Sequence, residues 1–238
     1  MPIRGANPKR RIGLLGLIAA AALLWSTVAP QAQKSQAWLL CENKDGRPPD
    51  DQITACTTVI ESGREPRPSL AIAFNNRGIA LFAKKQLDRA IADYEEAIRL
   101  LPNADYAYNN RGNVWLEKKD LDRAMADYDK AIALNPRNAK AYNNRGKIFA
   151  ERKDYDRALA DYDRAIALVP SYANAFFNRG NVWRDKRDRD RAMADYGEAI
   201  RLDPRYAAAW KGRCDAYEAI GEYTLAENDH REAKRLGN

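Results

Sequence analysis

From Ala71 to the end of the chain, hydrophobic and polar positions repeat with a period of 34 residues. Each period holds two stretches of about 14 residues with apolar residues at helical spacing, separated by a polar turn near position 15. A proline near the end of each of the first four periods cannot continue the preceding helix. The pattern predicts consecutive helix-turn-helix units that stack as a solenoid. We assign the units to residues 71–104, 105–138, 139–172 and 173–206, with a degenerate fifth at 207–238.

Small and aromatic residues occupy fixed positions of these units. Position 8 is glycine and position 24 is tyrosine in the first four units, while positions 20 and 27 are alanine in all five. Glycine and alanine allow two helices to approach closely, and the aromatic rings fill the wider gaps. The pattern resembles that of the tetratricopeptide repeat family, which implies an all-α, right-handed solenoid whose first helices line a concave inner face. The fifth unit departs from it, with Cys214 at position 8 and His230 at position 24, which we interpret as a core position.

Residues 1–33 have the layout of a secretory signal peptide: a basic stretch, an apolar stretch over residues 12–25 and a tail of small and polar residues. We expect export to the periplasm or secretion. The alternative is an uncleaved inner-membrane anchor over residues 12–30, since roughly 20 apolar residues suffice to span a bilayer. This segment carries +4 of the net charge of +7, so the remaining residues carry only +3. That surplus is too small to indicate nucleic-acid binding, and a membrane partner is expected only if the segment is retained.

Residues 34–70 are predicted to form a modified capping unit at the N-terminal end of the stack. The stretch DDQITACTTVIESG matches the pattern of a second helix, and a shorter first helix precedes it. In an exported protein, Cys41 and Cys56 are natural disulfide partners across this hairpin. The N-terminal unit is therefore predicted to be a disulfide-stapled half-repeat, with Cys214 left as a buried, inert thiol.

Every unit carries an arginine at position 7 and an aspartate at position 23. Both positions are equally far from the turn of the hairpin, so they stand at the same height on the two helices. We interpret them as structural ion pairs, within a unit or to its neighbour, in preference to an anion-binding arginine row. The residues are Arg77, Asp93, Arg111, Asp127, Arg145, Asp161, Arg179, Asp195, Arg213 and Asp229.

The face of the first helix opposite the packed glycine contains positions 2, 6, 9 and 13. Position 6 is asparagine in four units and forms what we call the asparagine row: Asn76, Asn110, Asn144 and Asn178. An asparagine side chain both donates and accepts hydrogen bonds, as a peptide backbone requires. The row is similar to the asparagine ladder that holds peptide main chain in the repeat domain of O-GlcNAc transferases, although duplication alone could also have preserved it. The candidate groove further includes Tyr106, Asn113, Lys140, Lys147 and Asn181.

These features favour a non-catalytic module that binds an extended peptide or partner segment in its groove. The alternative is a structural, self-associating scaffold of an envelope assembly. An enzyme is not expected, because the chain has one histidine and three cysteines and lacks a phosphate-binding loop or a nucleophile motif. No metal site and no cofactor are predicted, and the expected partner is a protein or peptide.

Overall fold

The computed structural model describes residues 35–237, which form twelve α-helices and no strand. The predicted signal peptide or anchor, residues 1–33, lies outside the described residues. No helix within the described range is both long and apolar enough to cross a membrane. The helices are α1 (Gln36–Glu42), α2 (Pro49–Glu61), α3 (Arg67–Ala83), α4 (Leu87–Leu100), α5 (Asp105–Glu117), α6 (Leu121–Leu134), α7 (Ala139–Glu151), α8 (Tyr155–Leu168), α9 (Ala173–Asp185), α10 (Arg189–Leu202), α11 (Ala207–Glu218) and α12 (Tyr223–Arg235).

Contacts between helices follow the order of the chain. Each helix packs on the next, and the odd-numbered helices, which are the first helices of the units, also contact one another. Among residues 35–237, no Cα atom of an even-numbered helix lies within 8 Å of the even-numbered helix of a neighbouring unit. The first helices therefore form a layer whose members contact one another, whereas the second helices are spread apart. Such a stack curves toward the layer of first helices, which forms the inner face. The all-α solenoid predicted from the sequence is confirmed.

The close approach of the two helices within a unit depends on the glycine at position 8. A Cβ atom built on Gly78 would lie 2.7 Å from Cε1 of Tyr94. A Cβ atom on Gly112 or Gly146 would come about equally close to the position-24 tyrosine of its unit. These tyrosines are fully buried. Burial raises the pKa of Tyr94 well above its usual range.

The fifth unit differs from its neighbours at positions 8 and 24. The expectation that His230 occupies a core position is wrong: its side chain is exposed on α12. Cys214 is buried, as expected, and Gly212 accommodates the ring of Tyr196, which also packs against Gly180, the position-8 glycine of the fourth unit.

The N-terminal cap consists of α1 and α2. A disulfide joins Cys41 to Cys56, as predicted, with their Cα atoms 4.6 Å apart. Both cysteines are fully buried in a cluster that includes Trp38 and Val59 and packs on Ala73 of α3. The disulfide thus forms the centre of a small core that closes the first end of the stack.

Candidate functional site

A cavity of about 540 Å³ opens on the inner face between the first three units. Its walls come mainly from α5 and α7, at positions 6, 9 and 13 of the first helices, which are positions that the sequence places opposite the packed glycine. Apolar, amide and charged side chains all contribute to it. The lining residues are Phe82, Asn113, Leu116, Glu117, Lys119, Asn144, Lys147 and Glu151.

The asparagine row is hydrogen-bonded from unit to unit. Asn110 Nδ2 donates to Oδ1 of Asn75 in the preceding unit at 2.9 Å, and Asn178 Nδ2 donates to Oδ1 of Asn143 at the same distance. Asn144 Nδ2 donates both to Asn109 Oδ1 at 3.2 Å and to Asn113 Oδ1 at 2.9 Å. The row therefore joins the first helices to one another.

The acceptors at position 5 were missed by reasoning from the sequence. Asn75, Asn109 and Asn143 are each at most 6% exposed, and an asparagine buried to that degree needs a partner. The recurring Asn-Asn dipeptide before the arginine was the signal that could have identified them. The ladder stops at the fourth unit because Phe177 at position 5 cannot accept a hydrogen bond and Gly212 at position 6 cannot donate one.

Part of the hydrogen-bonding capacity of the row remains. A carboxamide has two N–H groups and two lone pairs, and Asn110 donates one N–H within the stack. Its Oδ1 accepts only a long bond of 3.3 Å from Asn109 Nδ2. Asn110 and Asn178 can each offer one further donor and one acceptor to a ligand, whereas both donors of Asn144 are in use.

Position 9 has two different roles. Asn113 Oδ1 accepts from the Tyr128 hydroxyl at 2.8 Å, and Asn181 Oδ1 accepts from the Tyr196 hydroxyl at 2.8 Å. Burial raises the pKa of Tyr196 to about 12, so this hydroxyl remains a donor at neutral pH. Lys147, at the same position of the third unit, is exposed and lines the cavity.

The remaining predicted groove residues, Lys140 and Tyr106, are placed differently. Lys140 is exposed at the start of α7, outside the set of residues that line the cavity. Tyr106 packs against a buried cluster that includes Ala71 and Ala97, and its hydroxyl is buried with no hydrogen-bond partner among residues 35–237. Burial raises the pKa of Tyr106. Its hydroxyl is therefore directed into the stack.

The structure places each position-7 arginine against the position-23 aspartate of its own unit. In all five units, Nε and Nη2 of the arginine contact the two carboxylate oxygens at 2.6–2.9 Å, a bidentate arrangement. The hydrogen bond that Arg77 donates to Asp93 raises the pKa of Arg77. The aspartates are buried, at most 5% exposed, and the arginine of the same unit neutralises the charge of each.

The third nitrogen of Arg145 and of Arg179 reaches the preceding unit, at a position that reasoning from the sequence did not single out. Arg145 Nη1 donates to Asp129 at 2.7 Å and Arg179 Nη1 donates to Asp163 at 2.6 Å. Both acids stand at position 25. The arginine therefore connects neighbouring units as well as the two helices of its own.

The two remaining reactive side chains do not form a site. Burial raises the pKa of the Cys214 thiol, which keeps it protonated and poorly nucleophilic. His230 is exposed. Within the described range, no three histidine, cysteine, aspartate or glutamate side chains are arranged to hold a metal ion.

Sequence models of protein families match most of the repeat region. Residues 71–104 and 173–206 each match a model described as a tetratricopeptide repeat. Residues 112–152 and 146–183 match a model described as a TPR repeat. No curated protein is similar enough to the chain to count as a match.

Several solved structures have the same fold. PilF of Pseudomonas aeruginosa is 22% identical, with a TM-score of 0.69 over 73% of this chain and 79% of that one. TTC0263, a thermophilic TPR protein of Thermus thermophilus, is 20% identical, with a TM-score of 0.61 over 70% of this chain and 91% of that one. YrrB, described as a TPR protein with an unusual peptide-binding site, is 24% identical, with a TM-score of 0.56 over 78% of this chain and 93% of that one. These similarities are at the level of the fold.

Proposed function

Because the chain belongs to the tetratricopeptide repeat family, we propose that it is a non-catalytic interaction module that binds an extended segment of a partner protein on its inner face. The observation that carries this proposal is the open cavity between the first three units, lined by apolar, amide and charged side chains. The description of YrrB as having a peptide-binding site on a similar fold also supports it.

The inner face changes in character along the stack. In the first unit, positions 2 and 9 are Ile72 and Ile79, which are 38% and 42% exposed. In the third unit, the same positions are Lys140 and Lys147, both exposed. Such a surface suits a segment that places apolar side chains near the first unit and polar or acidic ones near the third.

The spacing of the units also suits an extended peptide. Neighbouring packed helices lie roughly 10 Å apart, and an extended chain advances about 3.3 Å per residue. A bound segment would therefore meet an equivalent position of the next unit about every third residue. The free N–H groups and lone pairs of Asn110 and Asn178 would bind its main chain.

Site-specific photo-cross-linking of the full chain in its native cells tests the proposal. A photoreactive residue at Lys147, in the cavity, is expected to form adducts with a partner protein. The same residue at Lys130, which is exposed on the second helix α6, serves as the matched control and is expected to form none. Adducts from the Lys130 site alone would contradict binding on the inner face. Adducts of the chain with itself from the Lys147 site would favour self-association.

A pair of charge reversals provides the quantitative measurement. Lys140→Glu with Lys147→Glu changes the inner face, whereas Lys130→Glu with Arg164→Glu makes the same change of net charge on second helices. We expect the first pair to weaken binding of the cross-linked partner by about tenfold or more, with an unchanged melting temperature. Replacing the asparagine row would be a less clean test, because Asn110 and Asn144 also join the units.

We also infer that residues 1–33 direct export, either as a cleaved signal peptide or as an inner-membrane anchor. The Cys41–Cys56 disulfide supports this, since disulfides persist in oxidising compartments. Thiol alkylation of the unfolded protein from freshly quenched cells should label only Cys214 before reduction and all three cysteines after it. Without residues 1–33, all three should be labelled directly. Three free thiols in the full chain would contradict export.

A further inference from the structure

A second cleft, of about 420 Å³, lies at the junction between the fourth and fifth units. We call it the arginine cleft. It is formed by α9, α10 and α11, and arginines and alanines make up six of its seven lining residues. They are Arg184, Arg187, Arg189, Ala192, Asp215, Ala216 and Ala219.

The other junctions of the stack fill the same positions with apolar side chains. Positions 12 and 17 are Leu116 and Leu121 in the second unit, and both pack against a buried cluster. In the first unit Phe82 and Leu87 pack in the same way. In the fourth unit these two positions are Arg184 and Arg189. The fourth unit therefore places guanidinium groups where its neighbours place core residues.

The fifth unit contributes to the cleft because one of its side chains there is smaller and another is not acidic. At position 10 it has Ala216, where the third unit has the larger Ile148. At position 13 it has Ala219, where the second and third units carry Glu117 and Glu151. The junction thus gains arginines and loses a carboxylate in the same place.

The positive charges in the cleft are only partly neutralised. The side chains of Arg187 and Arg189 make no hydrogen bond or ion pair within residues 35–237, and both are exposed. Arg184 contacts Asp185 Oδ1 through Nε and Nη2, at 3.2 and 3.0 Å. The one acid in the wall, Asp215, lies 3.5 Å from Lys211 and also attracts Arg184 electrostatically, whereas Arg187 and Arg189 have no such partner in the part of the chain that the structure describes. Donors for an incoming anion therefore remain.

We propose that the arginine cleft binds an oxyanion, either the carboxylate or the phosphate group of a small ligand or partner. A planar guanidinium presents paired N–H groups that match the oxygens of both kinds of group. The volume exceeds that of one inorganic ion, and the alanine floor can contact a short carbon skeleton. The proposal is independent of peptide binding on the inner face, because the lining residues belong to different units.

Calorimetric titration of the full chain at low ionic strength, with inorganic phosphate and separately with succinate, tests the site. We expect saturable binding of at least one probe with a stoichiometry of one, and the tighter probe identifies the preferred anion. Arg187→Gln with Arg189→Gln should weaken binding at least about tenfold. The matched control is Arg137→Gln with Arg164→Gln, which removes the same charge from exposed arginines elsewhere and should leave binding unchanged.

A third variant separates the local site from bulk charge. Ala219→Glu restores the acid that the second and third units carry at position 13, on an exposed residue at the end of α11. It should abolish saturable binding without lowering the melting temperature. Failure of both probes to bind would overturn the proposal. So would equal weakening by the cleft pair and the control pair, which would indicate an effect of net charge only.

Discussion

At the scale of single residues, the arginine at position 7 shows why one residue type is kept at one position. In the third unit, Arg145 binds Asp161 through two nitrogens and Asp129 of the preceding unit through a third. Its guanidinium carbon also lies 5.6 Å from the centre of the Tyr142 ring. Lysine could not make this set of contacts, because its ammonium lacks both the planar fork and the flat face. The same contacts leave these arginines unavailable as an anion-binding row.

The fourth unit lacks the position-25 acid that binds the arginine of the following unit, and introducing this acid should stabilise the stack. Position 25 of the fourth unit is Gly197, and a Cβ atom there would lie 3.6 Å from Arg213 Nη1, in ordinary contact. Gly197→Asp should therefore form the bridge that Asp129 and Asp163 form in earlier units. We expect the free energy of unfolding to rise by about 0.5–1 kcal/mol, from the ion pair and the loss of a mid-helix glycine. Chemical denaturation measures it.

The control for this prediction is Gly197→Asn, which has nearly the same shape and helix propensity but no charge. The aspartate variant should exceed the asparagine variant by about 0.5 kcal/mol at low salt, and the margin should shrink in 1 M salt. Equal stability of the two variants at low salt would show that Arg213 does not form the bridge.

At the scale of helices, periodicity was sufficient to predict the elements of the repeat region, although α3 begins at Arg67, before the first period starts at Ala71. The first helices α5, α7, α9 and α11 begin at Asp105, Ala139, Ala173 and Ala207, where the repeat period begins. The disulfide could also be predicted, because its two cysteines lie on a single hairpin. Contacts within one hairpin follow from the distance of each residue from the turn.

Contacts between units were harder to predict from the sequence. Asn110 bonds to Asn75, 35 residues earlier, and this pairing depends on how far one first helix is shifted along the next. Periodicity fixes which face a residue occupies but not that shift. For the same reason, the sequence placed Tyr106 in the groove, whereas its hydroxyl is buried. The arginine cleft likewise can be recognised only when the structure shows which residues of two neighbouring units meet at a junction.

At the scale of the whole molecule, the two ends of the described stack differ in how well they are covered. At the N-terminal end, the disulfide cap packs on α3, on the side that faces away from the other repeats. At the C-terminal end, α12 is polar and largely exposed, and the apolar side chains of Tyr223 and Leu225 are 71% and 43% exposed. Because each unit contacts only its neighbours, disturbance at one end should remain local.

Removal of the disulfide tests this locality. In Cys41→Ala with Cys56→Ala, the cap loses a cross-link that closes a 15-residue separation, worth about 3 kcal/mol in the chain-entropy model. We expect amide hydrogen exchange to accelerate in α1 and α2, weakly in α3, and not in α9 to α12, since α1 and α2 pack mainly on each other and on α3. Cys214→Ala, which removes a buried thiol at the other end, should leave exchange in α1 and α2 unchanged. Uniform acceleration in all helices of the disulfide variant would show instead that the cap and the repeats unfold as one cooperative unit.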